Sequence, residues 1–115
     1  MIADGEAITL RLSPTRKGEM HARITRLEGS AERLDEMTRQ FEERTVPVLE
    51  SLDGYTGYVL LGDRGSGLAM AVTYWESEEA MRASEDAVTD ERERAAETAE
   101  AASASVEHYE VISAS

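Results

Sequence analysis

Two neighbouring apolar runs constrain the fold of this chain more than any other feature. Residues 55 to 62 (YTGYVLLG) and 67 to 75 (GLAMAVTYW) predict two strands of a β-hairpin, joined by a turn at residues 63 to 66. The second strand is apolar on both faces, with Leu68, Met70, Val72 and Tyr74 on one side and Ala69, Ala71, Thr73 and Trp75 on the other. A sheet with one solvent-exposed face would carry polar residues on that face, so this sheet is predicted to be covered on both sides.

The segment before the hairpin predicts one strand and one helix. Residues 21 to 28 (HARITRLE) alternate as a strand does, and Ser30 is well placed to cap the helix that follows. The apolar stripe of that helix consists of Leu34, Met37, Phe41 and Val48. Because Pro47 disfavours helical geometry at the preceding residue and lacks a donor, we expect a break or kink at Val46 before a last turn to Leu52.

The segment after the hairpin predicts a second helix and a fourth strand. Ser77 is a candidate N-cap, and the residues that the helix is expected to bury are Met81, Ser84, Val88 and Ala95. Its alanine-rich distal part contains a predicted ion pair between Asp90 and Arg94. Residues 105 to 112 (SVEHYEVI) alternate again and predict the last strand.

The resulting order, βαββαβ, predicts an α+β, ferredoxin-like fold with an antiparallel four-stranded sheet. Two helices cover only one face of such a sheet, so the other face is expected to pack against a second copy, giving a homodimer. Residues 1 to 19 carry a Pro/Gly/Lys cluster and are predicted to be an N-terminal extension to a domain of residues 20 to 115.

Length and charge limit the function. A chain of 115 residues allows one domain, and 24 acidic against 12 basic residues give a net charge of −12, which disfavours nucleic acid and anionic membranes as partners. No cysteine is present, so disulfides and thiolate chemistry are excluded. There is no signal-like start and no apolar run near the roughly 20 residues of a membrane helix, so we expect a cytoplasmic protein.

The stretch VPVLESLDGYTGYVLLGDRGSGLAMAVTYWESEEAMRAS resembles the antibiotic biosynthesis monooxygenase (ABM) family of the dimeric α/β barrel superfamily. The resemblance rests on Pro47, on the opening of the second strand at residues 54 to 57 (GYTG), and on residues 75 to 80 (WESEEA). It implies a homodimeric barrel with a pocket between each sheet and its own helices. It also implies cofactor-independent monooxygenation of a polycyclic phenolic substrate. The alternative is a non-catalytic dimeric homologue that binds a small molecule or has lost activity.

Heme-degrading relatives in the same superfamily use an asparagine on the first strand, a tryptophan at the end of the third, and an iron-ligating histidine in the second helix. Here Trp75 matches the tryptophan, but Thr25 stands near the asparagine position. Residues 82 to 86 (RASED), where the histidine is expected, contain no imidazole. The sequence therefore predicts no cofactor and no heme degradation of that kind.

Three residues are candidate catalytic groups. Trp75 has a ring to stack on a planar substrate and an N–H to donate to an oxyanion, Tyr74 has a phenol that moves protons, and His108 is a candidate general base. Each has a structural alternative, namely packing in the core, filling a sheet face, or a hydrogen-bonded position at an interface. Tyr74 and Tyr55 are expected on opposite faces of the sheet, so they would not share one pocket.

A second group of residues is predicted to bind substrate, and it comprises Tyr55, Tyr58, Thr25, Met37, Met81 and Arg82. Arg23, Arg26 and Arg82 have the charge to neutralise an anionic substrate, although surface ion pairing explains them equally well. The two histidines, His21 and His108, are placed on strands that are not expected to pair, so no metal site is predicted.

Overall fold

The computed structural model describes residues 20–99 and 103–114. They form one four-stranded antiparallel sheet in the order β2-β3-β1-β4. The strands are His21–Glu28 (β1), Tyr55–Asp63 (β2), Leu68–Trp75 (β3) and Ser103–Glu110 (β4). This architecture confirms the predicted ferredoxin-like α+β fold. The predicted extension, residues 1 to 19, lies outside the described residues.

The helical segments follow the predicted order in shorter pieces. A 3₁₀ turn, Ala31–Arg33, leads into α1 (Leu34–Gln40), a π-helical turn (Phe41–Thr45) and α2 (Val46–Glu50), and after the hairpin come α3 (Glu78–Ala83) and α4 (Glu85–Ala99). Both predicted caps are present: Ser30 Oγ accepts from the N–H of Glu32, and Ser77 Oγ accepts from that of Ala80. Among the described residues, no helix is long and apolar enough to cross a membrane.

The helix does not break at Val46, because the chain stays helical through Pro47, but its regular α-helical hydrogen bonding is interrupted by a π turn, Phe41–Thr45, that ends just before Val46. The N–H of Val46 donates to the carbonyl of Phe41, five residues back, so the extra residue of a π turn is inserted just before the proline that lacks a donor. The insertion rotates the following turn, and Leu49 is buried where Val48 was expected. The helix ends at Glu50 rather than at Leu52.

The second helix also departs from the prediction, because it is interrupted at Ser84. The hydroxyl of Ser84 donates to the carbonyl of Met81 at 2.6 Å, which competes with the helical backbone and ends α3. Met81, Ser84 and Val88 are buried as predicted. The expected pair between Asp90 and Arg94 is replaced by one between Arg94 and Glu91, at 2.8 Å.

Strands β1 and β4 pair directly, which corrects the expectation that they would not. In this register Arg23 lies opposite His108, and His21 lies opposite Glu110. The chain after α4 returns beside β1 because the other edge of β1 is already taken by β3. The pairing brings both histidines onto one face, although no group of three or more potential metal ligands occurs among the described residues.

The helices pack on one face of the sheet and form two core clusters there. The first contains Leu27, Leu34, Met37 and Ala69. The second contains Leu49, Trp75, Met81 and Val88. The opposite face carries Ile24, Val59, Met70, Val72, Tyr74 and Tyr109, as the register of the strands requires. We call these the helix face and the open face.

Candidate functional site

A cavity of about 60 Å³ lies on the helix face, between the two core clusters. Its floor is formed by small or short side chains of the strands: Thr25, Ala69, Ala71 and Thr73. Its roof is formed mainly by Met37, Phe41, Thr45, Leu49, Val88 and Ala95. The cavity exists because the alanines and threonines of β1 and β3 leave room that the roof side chains do not fill.

Trp75 closes the region next to the cavity and does not line it. The indole has no exposed surface, its N–H donates to Thr73 Oγ1 at 3.0 Å, and its ring meets the ring of Tyr55 edge-on at 5.6 Å. The predicted burial of Trp75 is therefore confirmed. Since its N–H is already paired, the indole fills space and holds the hydroxyl of Thr73, a residue that does line the cavity.

Arg23 is the most unusual residue of the site, because a guanidinium is almost fully buried there. One Nη donates to the carbonyl of Met81 and to Ser84 Oγ, both at 2.6 Å, and lies 3.0 Å from Glu85 Oε1. The guanidinium also sits over the ring of Trp75, 5.3 Å from its centre. Burial lowers the pKa of Arg23, an effect that the charge of Glu85 opposes. These contacts fix the guanidinium at one wall of the cavity.

Glu85 links Arg23 to a second arginine and to β4. Its other oxygen accepts from Arg92 at 2.9 Å, and Nε2 of His108 lies 3.7 Å from Oε1. Partial burial acts to raise the pKa of Glu85, but the hydrogen bond from Arg92 and the charges of Arg23 and Arg92 bring it below its ordinary value. Glu85 is therefore held as a carboxylate between two guanidiniums.

The π-helical turn places two roof residues. Phe41, at its start, lies 5.2 Å from the ring of Tyr58, and Thr45, at its end, donates to Glu91 Oε1 at 3.2 Å. Glu91 lines the cavity and is paired with Arg94 on its outer side. A π turn at this position resembles the insertions that often mark functional sites, because it redirects side chains that a regular helix would spread.

The structure divides the residues predicted as site residues into three groups. Thr25 and Met37 line the cavity. Other members lie on the helix face beside it: Trp75, Tyr55 and Met81 belong to or pack against the second core cluster, Tyr58 bonds to Glu42, and His108 is 38% exposed with its Nε2 3.7 Å from Glu85. The hydroxyl of Tyr58 donates to Glu42, and burial followed by the charge of Glu42 raises its pKa.

Two predicted site residues lie elsewhere. Tyr74 points to the open face, opposite Trp75 and Tyr55, as its alternation with Trp75 predicts, and partial burial raises its pKa. Arg82 is exposed on α3, where it pairs with Glu78 at 2.6 Å. Neither reaches the cavity, so the structure separates them from Thr25 and Met37.

Several cavity residues were not among the predicted site residues. Arg23 was considered as an anion partner, and the alternation of HARITRLE already places it on the same face as Thr25. Arg92 and Glu91 sit in an alanine-rich, charged stretch that is typical of a solvated helix, so no sequence signal marked them. Phe41 and Leu49 were hidden because the π turn changes which residues face inward.

A groove of about 180 Å³ adjoins the cavity at the start of α1. It is lined by Leu34, Met37, Thr38, Leu60, Leu61, Gly62 and Arg64. Met37 and Leu60 line both spaces, so their side chains form the partition between them. Because methionine is flexible, this partition is the part of the wall most easily displaced.

Comparison with known proteins places the chain in a family. Residues 20–98 match the family model for antibiotic biosynthesis monooxygenases. Two uncharacterized proteins of Mycobacterium tuberculosis are each 38% identical, one over 78 residues and the other over 92, or 68% and 80% of this chain. The chain spans only 35% and 39% of their lengths.

Solved structures share the same fold. The heme degrader MhuD of M. tuberculosis, with two hemes bound in its active site, is 29% identical with a TM-score of 0.62, covering 80% of this chain and 95% of its own. SnoaB, a cofactor-independent oxygenase of Streptomyces nogalater, is 13% identical with a TM-score of 0.56, covering 81% and 93%. The latter likeness concerns the fold alone. With more than half of its residues matched by the family model, this chain belongs to the antibiotic biosynthesis monooxygenase family.

Proposed function

We propose that the protein is a cofactor-independent monooxygenase that oxidises a planar phenolic substrate between its sheet and its helices. The observation that carries the proposal is the position of the cavity, which lies over a floor of alanines and threonines flat enough to receive a ring. Family membership supports the reaction class. The mainly apolar walls would exclude water and keep the substrate anion reactive.

The substrate needs more room than the cavity alone provides. Ligand pockets commonly measure roughly 300–1,000 Å³, whereas the cavity measures about 60 Å³ and the groove about 180 Å³. Displacing Met37 and Leu60 would join the two spaces. We therefore propose that a fused ring system enters along the groove and rests with its reacting edge over Ala71 and Thr73.

Glu91 is the proposed proton acceptor. It is a carboxylate that lines the cavity, and Thr45 holds one of its oxygens by a hydrogen bond. The carboxylate would take a proton from the substrate, whose anion then reduces dioxygen. For an anthrone, one oxygen atom becomes the new carbonyl of the quinone, and the other leaves as water with the two hydrogens of the oxidised carbon. The protein positions the substrate and excludes water, and the electrons that reduce dioxygen come from the substrate.

Oxygen uptake tests this proposal. The purified protein should consume one dioxygen per anthrone-like substrate without added metal or flavin. Glu91→Gln should lower kcat by about 100-fold or more, as expected for loss of a general base. Glu93→Gln, an exposed carboxylate on the same helix, is the matched control and should leave the rate unchanged. Uptake that is equal in the wild type and in Glu91→Gln would contradict the role of Glu91.

The side chains do not fit heme ligation of the kind used by heme degraders. The segment where the resemblance places the histidine contains Ser84, which is buried and engaged with Arg23 and Met81. The side chain at this position is a serine that accepts a hydrogen bond from Arg23, so it would not hold the iron of a heme as a histidine does. His108, on β4, lies with its Nε2 3.7 Å from Oε1 of Glu85, the first residue of α4. We therefore derive no step through heme.

A homodimer is part of the proposal. The open face carries large apolar side chains, of which Leu61 is 47% and Tyr109 is 51% exposed, beside the partly exposed ion pair between Arg26 and Glu107. Large apolar side chains in such a patch mark an interaction surface, and a second copy packed sheet to sheet would cover them. Sedimentation at micromolar concentration should show a dimer, and a folded monomer of 12.7 kDa would contradict it.

A non-catalytic homologue that binds a small molecule is the second candidate. The commitment of the Trp75 N–H to Thr73 favours it, because this tryptophan then has no donor left for an oxyanion. The two candidates differ in one measurement. Ligand binding without any oxygen uptake, across anthrone-like and hydroquinone substrates, would favour the second.

A further inference from the structure

Two buried residues that line the cavity each have a hydrogen-bond donor without an acceptor. The first donor is Nε of Arg23, whose side chain is 3% exposed and for which no partner lies within residues 20–99 and 103–114. The second is the hydroxyl of Thr73, a residue that is 6% exposed. Its Oγ1 accepts from the N–H of Trp75, but its own hydrogen has no acceptor in the same part of the chain. A buried donor without an acceptor is rare and calls for an explanation.

The two donors belong to neighbouring residues. Arg23 on β1 lies directly opposite Thr73 on β3. Residues opposite each other in an antiparallel pair have Cβ atoms about 4.5–5.5 Å apart. The guanidinium of Arg23 also lies over the ring of Trp75, 5.3 Å from its centre, and the same indole is bonded to Thr73. The two unpaired hydrogens are therefore close enough to meet at one acceptor atom.

The remaining polar side chains of the lining differ from this pair. Thr45 donates its hydroxyl to Glu91, and Arg92 donates to Glu85. Thr25 is only partly buried, so leaving its hydroxyl without a protein partner costs less. The buried donors without an acceptor are thus concentrated at one point of the lining, beside the closed end of the cavity.

We propose that Arg23 Nε and Thr73 Oγ1 are the two donors that hold the carbonyl oxygen of the substrate, and that Trp75 is a positioning residue that acts through Thr73. This inference rests on the proposed function for the place of the substrate. An indole nitrogen only donates, so its bond to Oγ1 leaves the hydroxyl hydrogen to be donated elsewhere. A hydroxyl that accepts one hydrogen bond becomes a stronger donor of the next.

This pair of donors suits the chemistry proposed for the cavity. When Glu91 takes a proton from a ring carbon, the electron pair of the broken C–H bond is delocalised onto the carbonyl oxygen. Donors that are already fixed around that oxygen stabilise the charge as it develops, because they need no rearrangement at that moment. Both donors are held in advance, Arg23 by its bond to the carbonyl of Met81 and Thr73 by the indole of Trp75.

Binding of 1-indanone and of indane tests the proposal without turnover, because the two molecules have nearly the same shape and only the ketone has an acceptor. Thr73→Val removes the hydroxyl and keeps the branched side chain. It should lower the affinity for 1-indanone about tenfold, as expected for one buried hydrogen bond, and should not lower that for indane. Thr73→Ser should keep most of the affinity. Thr89→Val, which loses a hydroxyl bonded to the carbonyl of Glu85, is the control and should change neither affinity.

Trp75 and Arg23 have separate measurements. Trp75→Phe removes the indole N–H and should lower the affinity for 1-indanone severalfold when Thr73 is present, but not in the Thr73→Val background, where the hydroxyl that it positions is gone. A packing effect would instead change the affinities for both ligands in both backgrounds. The Nε–H resonance of Arg23 should shift on addition of 1-indanone and not of indane, which tests this residue in the wild type without replacing it.

Three results would overturn the proposal: equal loss of affinity for both ligands in Thr73→Val, an unshifted Nε–H resonance of Arg23, or no binding of either ligand at millimolar concentration. Oxygen uptake is a separate measurement. Uptake by the wild type that Thr73→Val leaves unchanged would contradict the donor pair and leave the oxygenase standing. Ketone-selective binding without uptake would support the donor pair and contradict the oxygenase.

Discussion

The two core clusters on the helix face are built from similar apolar residues but differ in how completely they are packed. The cluster around Trp75 is closed at Trp75 and Met81, which are 0% and 1% exposed and do not line the cavity, whereas its members Leu49 and Val88 form part of the cavity roof. The cluster around Met37 borders the cavity on one side and the groove on the other. The difference indicates that the Trp75 cluster stabilises the fold, while the Met37 cluster can move to admit a ligand.

Truncating the cluster around Trp75 should have the largest effect on stability. Trp75→Ala should lower the free energy of unfolding by about 3–5 kcal/mol, because it leaves a large cavity and removes the ring over which Arg23 lies. Chemical denaturation measures the loss. Trp75→Phe, which keeps an aromatic ring, should lose less. A loss below about 1 kcal/mol in Trp75→Ala would show that the cluster is not tightly packed.

Truncating the cluster around Met37 should have a smaller effect on stability and a larger one on binding. Met37→Ala should lower the free energy of unfolding by about 2 kcal/mol, near the low end for such changes, because Met37 already borders empty space. It should also widen the partition and speed the uptake of a ring-sized ligand. Met81→Ala, in the cluster around Trp75, is the matched variant. We expect it to lose more free energy of unfolding than Met37→Ala and to bind ligand no faster than the wild type.

The ion pairs of Glu85 with Arg23 and Arg92 should have the smallest effect on stability, and it should be seen only at acidic pH. The pKa of Glu85 is lowered from its ordinary value of 4.5. Since the unfolded chain then binds the proton more readily, the contribution of Glu85 is present above about pH 4.5 and is lost as pH falls through the folded pKa. The free energy of unfolding should therefore decline more steeply below pH 4.5 in the wild type than in Glu85→Gln. Identical pH profiles would contradict the pairing.

The sequence predicted the sheet better than the helices. Alternation along residues 21 to 28 and along β3 defines which side chains share a face, because a strand has a period of exactly two residues. The π turn could not be anticipated in this way, since one inserted residue changes the helical period and exchanges Val48 for Leu49. The interruption at Ser84 likewise depends on a hydroxyl bond that the apolar pattern does not record.

The candidate site was predicted only in part for a similar reason. Met37 was found because the apolar stripe of a helix is visible in the pattern, and Thr25 because the family resemblance places a functional residue near it on the first strand. The network of Arg23 depends on groups about 60 positions further along the chain, Ser84 and Glu85, which meet it only after β1 is placed beside α3 and α4. Trp75 was favoured as a site residue, but its surroundings fill the space around the ring and leave the cavity to its neighbours.

The central claim is that the space between the two clusters on the helix face receives the ligand. Methyl resonances test it directly, because the two faces carry separate sets of methyl groups: Met37, Ala71 and Val88 line the cavity, and Ile24, Val59 and Met70 lie on the open face. On titration with a soluble hydroxyanthraquinone, the first set should shift and the second should not. Shifts confined to the open face would contradict the account.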